Sequence, residues 1–397
     1  MEKVKKILIP VISALLAAVL TFCVTCAVFA KKFGGTTAAE NTDYDAAKLS
    51  EIQGLIDKYF IGDVDPDTMT DALAAGMIEG LGDRWSYYIS AEDYDAYVES
   101  VENAYVGIGV TISLVNEADK GFTVTDVTPD SPAYEAGIVV GDMITGVEGE
   151  STVELGMTET KNRVRGEEGT DVRLTILHDG EEKELTITRK TVKTVNVTSE
   201  MMDGDIAYIK IRNFEKNCAD DTIKCIEDVQ AQGARGIVFD VRFNPGGLKS
   251  ELVTLLDYIL PEGPLFRSES YDGREDVDYS DAACIDLPMT VLVNGDSYSA
   301  AEFFAAALQE YGVAKVVGTQ TCGKGYYQTC MQLSDGSAIN ISIGKYFTPN
   351  GVSLVDVGIT PDEVMELSDE DYANLYYGKI PLEDDVQAQK AADLLRQ

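Results

Sequence analysis

Between Val291 and Gln328 the chain reads VLVNGDSYSAAEFFAAALQEYGVAKVVGTQTCGKGYYQ, and this order of segments constrains the fold more than any other stretch. A β-branched apolar run, Val291–Val293, enters a turn at Asn294-Gly295-Asp296. Phe304, Ala307, Leu308 and Tyr311 then recur at the spacing of one helical face. A second short strand, Lys315–Val317, leads into Cys322-Gly323-Lys324-Gly325. Strand, helix and strand in close succession make an α/β unit. The same order sets a serine at a strand-to-helix turn and a lysine between two glycines on the following loop, the parts a Ser/Lys hydrolase needs.

The chain around this unit alternates in the same way. Ile206–Ile211 reads as a strand, 220–232 as a helix and Gly236–Val241 as a strand of nearly continuous apolar residues. Arg242-Phe243-Asn244-Pro245-Gly246-Gly247 then turns into a helix with Leu252, Leu255, Leu256 and Ile259 on one face. Continuous apolar strands separated by helices predict a sheet covered on both sides. Upstream, residues 44 to about 100 read as helical and are broken at Asp65-Pro66-Asp67. Ile52, Leu55, Ile56 and Tyr59 share one face there, Leu73, Met77 and Leu81 share another, and Trp85 reads as a packing residue. From Tyr105 the period becomes two, with strands near 108–114, 121–127, 172–177 and 184–190. The acidic residues 264–286 read as a surface loop or flap, and Asp335-Gly336 as a hairpin turn. The tail from Ser368 reads as acidic and helical, packing back on the body.

Charge and scarce residue types exclude several functions. Net charge is −36, from 68 acidic against 32 basic residues, so nucleic acid is not an expected partner. The single histidine, His178, precedes Asp179-Gly180 and reads as a solvent-facing turn residue. No histidine-based zinc cluster is available, and a hydrolase built on this chain needs another base. Cys23 and Cys26 lie in an apolar run; the other five cysteines indicate neither a disulfide framework nor a metal site. Whether Cys322 and Cys330 pair is open at this level.

Ile7–Ala30 carries no charge and follows three lysines, which is long enough for a spanning helix. An uncleaved signal anchor is expected, with the N-terminus cytoplasmic and the body outside. Cleavage after Val28-Phe29-Ala30 is the alternative and would leave a secreted protein.

Each candidate catalytic residue also has a plain structural reading. Ser299-Ala300-Ala301-Glu302 before an apolar helix is a capping box. A hydroxyl there also stands near oriented N–H groups that favour developing negative charge. Ser297 is the competing nucleophile. Most lysines are solvated, yet Lys324 sits between glycines amid Cys and Tyr, where burial would favour the neutral amine that a general base requires. Gln328, four residues on, is placed to orient that amine without adding charge. Asn244-Pro245-Gly246-Gly247 reads as a turn or, with the N–H of Ala300, as an oxyanion hole.

Two resemblances follow from these residues. Gly107-Ile108-Gly109-Val110, the SPAYEAGIVVGDMI stretch from Ser131 and the Arg165-Gly166-Glu167-Glu168-Gly169-Thr170 turn resemble a PDZ domain over residues 104–191. This implies that Gly107, Ile108, Gly109 and Val110 present backbone N–H groups to a peptide carboxylate. Nearly the whole chain resembles the carboxyl-terminal processing, or tail-specific, proteases. That likeness is carried by DVRFNPGG from Asp240, VNGDSYSAAE from Val293, Gly323-Lys324-Gly325, Gln328, and GITPD from Gly358. It implies Ser299 as nucleophile, Lys324 as base, Gln328 as the lysine's partner, and Gly246 and Ala300 as oxyanion donors. Ala301, Tyr298 and Cys322 depart from the family pattern and bear on substrate preference and thiol sensitivity. The implied fold is an α/β protease core, crotonase/ClpP-like, with an inserted mostly-β PDZ domain, an N-terminal helical segment and one transmembrane helix.

The expected organisation is a tail at 1–6, an anchor at 7–30, a linker at 31–43, a helical segment at 44–103, the PDZ domain at 104–191, the protease core at 192–367 and a helical tail at 368–397. The expected activity is cleavage of proteins or peptides with accessible C-termini, without a cofactor, with a homo-oligomer allowed. Arg165 is a gating residue in this reading. The rival from another class is a catalytically silent PDZ scaffold tethering partner proteins at the membrane.

Overall fold

The computed structural model describes residues 46–117 and 121–396; the run read as an anchor, 7–30, and the linker after it lie outside the described residues. Among the described residues no helix is long and apolar enough to cross a membrane. The chain divides into two compact units, Met1–Met69 and Thr70–Gln397. In the first, the helix Ala46–Tyr59 is followed by the start of a second, Pro66–Glu79. Pro66 takes the first helical position, where a missing N–H costs nothing, and Asp65 Oδ1 accepts the N–H of Asp67 at 2.9 Å. Ile52, Leu55 and Tyr59, which share a face by their spacing, are exposed.

In the second unit a six-stranded sheet carries the core. Its order is Val197–Met202, Ile206–Ile211, Gly236–Asp240, Met289–Val293, Ala314–Gly318, Glu363–Val364. The first pair is antiparallel and the remaining neighbours are parallel. Successive side chains face opposite layers. Ile237 and Phe239 join one cluster with Leu252, Leu255, Phe303 and Phe304 from the helices Lys249–Ile259 and Ala300–Glu310. Val238, Leu292 and Val317 face Ala388, Ala391 and Ala392 of the last helix, Val386–Leu395. The continuous apolar strands are therefore buried on both sides, and the tail packs back on the body.

That tail is fastened by a buried charge. The fully enclosed Arg242 donates to Asp240 Oδ2 at 2.7 Å, Asp385 Oδ2 at 2.6 Å and Gln387 Oε1 at 2.9 Å. Losing the guanidinium would leave two buried carboxylates uncompensated, a change that costs several kcal/mol, about 3–5.

A second sheet lies in the order Tyr87–Ile89, Ala338–Phe347, Gly263–Ser270, Glu275–Ser280, with Tyr326–Gln332 also paired to Ala338–Phe347. The acidic stretch read as a loop is thus a hairpin: Gly263–Ser270 pairs with Glu275–Ser280 around Asp272-Gly273. Buried Leu265 and Phe266 hold its inner side, and Glu269, Glu275 and Asp276 are exposed.

The PDZ segment forms a sheet of Val110–Glu117, Gly121–Val127, Met143–Val147, Asp171–His178 and Glu181–Thr188. Its ends are drawn together by a two-stranded ladder, Ala104–Gly107 with Lys190–Lys193. His178 departs from the expectation of a solvated turn residue: its Nδ1 lies 2.5 Å from Oδ1 of the buried Asp142. The hairpin turn brings its ring over the Gly141-Asp142 corner, a pairing invisible at a separation of 36 residues.

Candidate active site

Three loops at the C-terminal ends of core strands meet in one cleft of about 1060 Å³. The strand Met289–Val293 ends in the nucleophile turn, where Ser299 adopts φ 58°, ψ −122° before the helix Ala300–Glu310. A non-glycine residue pays about 1–3 kcal/mol for such a conformation, which surrounding contacts must impose. Ser297, the competing serine, is buried and donates to Val241 O at 2.7 Å, so its hydroxyl is structural. Ser299 lines the cleft.

The glycine loop after Gly236–Asp240 is sewn to this turn. Phe243 N–H donates to Asn294 Oδ1 at 3.0 Å, and Tyr298 N–H to Asn244 O at 3.1 Å. Gly246 has φ +93°, and a Cβ there would lie 2.7 Å from Ser299 Cβ and 2.8 Å from Ala300 N. Its own N–H is not free, however: it donates to Asn244 Oδ1 at 2.8 Å. That bond occupies the N–H expected to serve as an oxyanion donor. Asn244 is pinned by its Nδ2 bond to Ile211 O at 2.8 Å, which leaves its oxygen beside the Gly246 amide. The N–H groups of Gly247 and Ala300 have no acceptor among the described residues. Gly246→Ala is expected to lower kcat about 10²-fold or more, because the methyl group displaces Ser299 and forces a left-handed backbone on alanine. Steady-state peptide cleavage by the variant checks this.

Lys324 belongs to a loop that passes close to Val355–Val357. A Cβ on Gly325 would lie 2.4 Å from Val355 Cγ2, and one on Gly323 2.9 Å from Val357 N, so the flanking glycines are steric requirements. The ammonium group sits 4.8 Å from the centroid of the Trp85 ring and 6.0 Å from that of Tyr298. Those two rings are themselves 5.6 Å apart. Burial lowers the Lys324 pKa to about 8; the charge of Asp83 is the largest effect in the other direction. Desolvation pushes Asp83 up, but bonds from Ser342, Ser86 and Trp85 N–H, with the field of Lys324, hold it below its usual value. The Arg84 guanidinium lies over the Trp85 ring, 4.2 Å from its centroid, and donates to Cys322 Sγ at 3.4 Å. Cys322 and Cys330 are free thiols.

Gln328 lines the cleft, but its amide nitrogen donates to Ser342 Oγ at 2.9 Å and Tyr326 O at 3.1 Å. No hydrogen bond joins it to Lys324 among the described residues, contrary to the role expected for it. A bulge between Tyr327 and Gln328 shifts the strand register there and turns the amide toward the neighbouring strand. Nor does a hydrogen bond join Lys324 Nζ to Ser299 Oγ among the described residues: the two groups share the cleft with the amine resting on the aromatic pair.

Sequence reading missed three contributors. Asp83 and Trp85 lie more than two hundred positions before Lys324 and carry no local signal for it. Glu302, visible only as a helix cap, is fully buried and joins both loops. It accepts from Ser299 N at 3.2 Å, Lys324 N at 2.9 Å, Gly323 N at 2.7 Å and the Thr321 hydroxyl. Burial raises its pKa while these four donors pull it back.

In the PDZ segment, Ile108 O accepts from Ala133 N at 2.8 Å and Gly109 O from Thr128 N at 2.9 Å. The N–H groups of Ile108 and Gly109 have no acceptor among the described residues; Gly107 and Val110 are in ladders. Arg165 is not a solvated turn residue. It forms an ion pair with Glu99, and its guanidinium lies 4.8 Å from the Tyr105 ring centroid. Glu99 stands on the helix Ala91–Glu102, whose Tyr97, Ser100 and Val101 line the cleft.

Comparison with known proteins agrees with this layout. Residues 205–365 match Peptidase family S41, and residues 123–177 match a PDZ domain. The carboxy-terminal processing protease CtpA of Bacillus subtilis is 30% identical over 395 residues, covering 99% of this chain and 82% of the relative. A carboxy-terminal-processing protease of Bartonella bacilliformis is 32% identical over 343 residues, covering 83% and 77%. A Bacteroides fragilis crystal structure assigned to the S41 proteases superposes with a TM-score of 0.51 at 18% identity, over 84% of this chain and 92% of that one, a likeness of fold. Matching both domain models, and similar over nearly its full length to such a relative, the chain belongs to peptidase family S41 as a serine-type C-terminal processing protease carrying a PDZ domain.

Proposed function

We propose that this protein is a membrane-anchored, extracytoplasmic endopeptidase that captures substrate C-termini with its PDZ domain and cleaves by a Ser299/Lys324 acyl-enzyme mechanism. One observation carries the reading: a strained serine at a helix N-terminus shares a cleft with a lysine whose pKa burial lowers to about 8. Ser299 Oγ attacks the peptide carbonyl and its proton passes to Lys324 Nζ. The developing oxyanion is met by the N–H groups of Ala300 and Gly247. Lys324 then protonates the leaving amine, and water, deprotonated by the same amine, releases the acyl group. The apolar run 7–30 behind three lysines supports the anchor.

For this chemistry Lys324 must leave the Trp85 and Tyr298 faces and approach Ser299. The Arg165–Glu99 pair supports a route by which peptide in the PDZ loop shifts the helix lining the cleft. Arg165→Ala is expected to lose peptide-stimulated cleavage several-fold while peptide still binds; an unaltered response in a stimulation assay removes the route. The central test is a serine-directed covalent probe followed by peptide mapping. Label on Ser299, absent in Ser299→Ala, supports the mechanism. Label on Ser297 sinks it in favour of the competing nucleophile, and peptide binding without turnover sinks it in favour of the scaffold.

A further inference from the structure

Glu215 lies in the cleft and no step above uses it. Its position is fixed by the glycine loop: Phe214 N donates to Gly246 O and Leu248 N to Phe214 O, each at 2.7 Å. A Cβ on Gly247 would come within 2.7 Å of Glu215 N, so the two segments touch beside the proposed oxyanion site. The side chain lines the same cleft as Ser299 and Lys324, and its Oε2 is buried with no hydrogen-bond partner among the described residues. Burying such an oxygen unpaired is costly, and a donor arriving in the cleft relieves that cost.

The surrounding groups do not neutralise it. Tyr87 and Tyr97 face it from neighbouring elements, Cys218 stands one turn along its own segment, and Glu251 opposes it with like charge. Among the described residues Lys324 is the one cation whose field is resolved at it, and that amine has Asp83 as its main counter-charge. Nearby cations are committed: Lys216 to Glu102 and Lys249 to Asp278 at 2.7 Å. Burial, then Glu251, raises the Glu215 pKa to about 7, with Lys324 pulling the other way.

Resting on the protease reading, we propose that Glu215 is a specificity-determining residue whose carboxylate selects substrates bearing a lysine or arginine side chain next to the scissile bond. A cationic side chain entering beside the glycine loop would give Oε2 its missing partner and form a charge-assisted hydrogen bond. An apolar side chain leaves that oxygen unpaired and desolvated, which is how a buried polar group discriminates. The strongly negative chain draws cationic peptides toward it. Above pH 7 the carboxylate is ionised and selects for cations; below, its protonated form does so less.

The test uses the full chain and a set of peptides with one C-terminal sequence. Positions on either side of the scissile bond are scanned as lysine, arginine, glutamine or norleucine, and kcat/KM ratios are read at pH 8.5 and pH 6. Wild-type protein is expected to favour lysine or arginine over norleucine about tenfold or more at one position at pH 8.5. That ratio falls at pH 6, and the demand of Lys324 for deprotonation cancels because both peptides share it. Glu215→Gln should bring the ratio near one at both pH values, with Glu215→Asp between. An unchanged ratio in Glu215→Gln, or no cation preference in wild type, overturns the inference while leaving the protease reading intact. No cleavage by wild type beyond that of Ser299→Ala overturns the protease reading and the inference with it.

Discussion

Lys324→Ala is expected to lower kcat/KM by about 10⁴-fold, and Lys324→Arg equally, since a guanidinium does not deprotonate. The wild-type rate should rise about tenfold per pH unit below pH 8 and level above it, because only the neutral amine accepts the Ser299 proton. Asp83→Asn removes a charge that favours the ammonium form and should move the inflection to lower pH. The same depressed pKa sets the sign of a stability effect. Folding disfavours the ammonium, so the penalty is present in full below about pH 8 and is relieved as pH rises toward the unfolded value. Lys324→Met should therefore melt no lower than wild type at pH 7 while remaining inactive. A rate that does not vary between pH 6 and 9, or a Lys324→Ala enzyme that retains activity, defeats the assignment.

Glu302→Gln should lower kcat about 10²-fold and stability by about 2–4 kcal/mol, leaving KM comparatively unmoved. Both carboxylate oxygens receive donors, Thr321 and Gly323 on one and Ser299 and Lys324 on the other. An amide replaces one acceptor with an NH₂ group, so one pair of donors meets another donor in a buried site. The nucleophile turn and the lysine loop then lose their shared anchor. A merely destabilised protein would recover activity at lower temperature in proportion to its folded fraction; the expected variant stays slow when fully folded. Cleavage within twofold of wild type by folded Glu302→Gln would show that the carboxylate does not position the two loops.

Much of the architecture is legible because it is written in neighbours. Val291-Leu292-Val293 is apolar on both faces and carries two β-branched residues, and the period-two run from Tyr105 separates the PDZ segment from the helices before it. The hairpin at 263–280 escaped because its acids suggested a loop, although Asp272-Gly273 is a turn signal. The helices at 46–59 and 66–79 were legible as elements, yet the exposure of Ile52, Leu55, Leu73 and Met77 was not. Spacing gives a face and does not say what covers it.

By itself the amino-acid order determined the α/β framework, the inserted PDZ segment, and a serine and a lysine on loops after parallel strands. The framework and the two loops follow from residues within a turn or two of one another, where backbone periodicity and glycine conformations act, and the PDZ segment from motifs that resemble that domain. Only the tertiary structure decided that Trp85 and Asp83 flank Lys324, that Asn244 takes the Gly246 N–H, that the Gln328 amide turns to Ser342, and that Glu215 lines the cleft with its Oε2 unbonded among the described residues. Those outcomes depend on which surfaces meet after the sheets pack. A side chain's hydrogen-bonding capacity is spent on whatever group then lies nearest, at any separation along the chain.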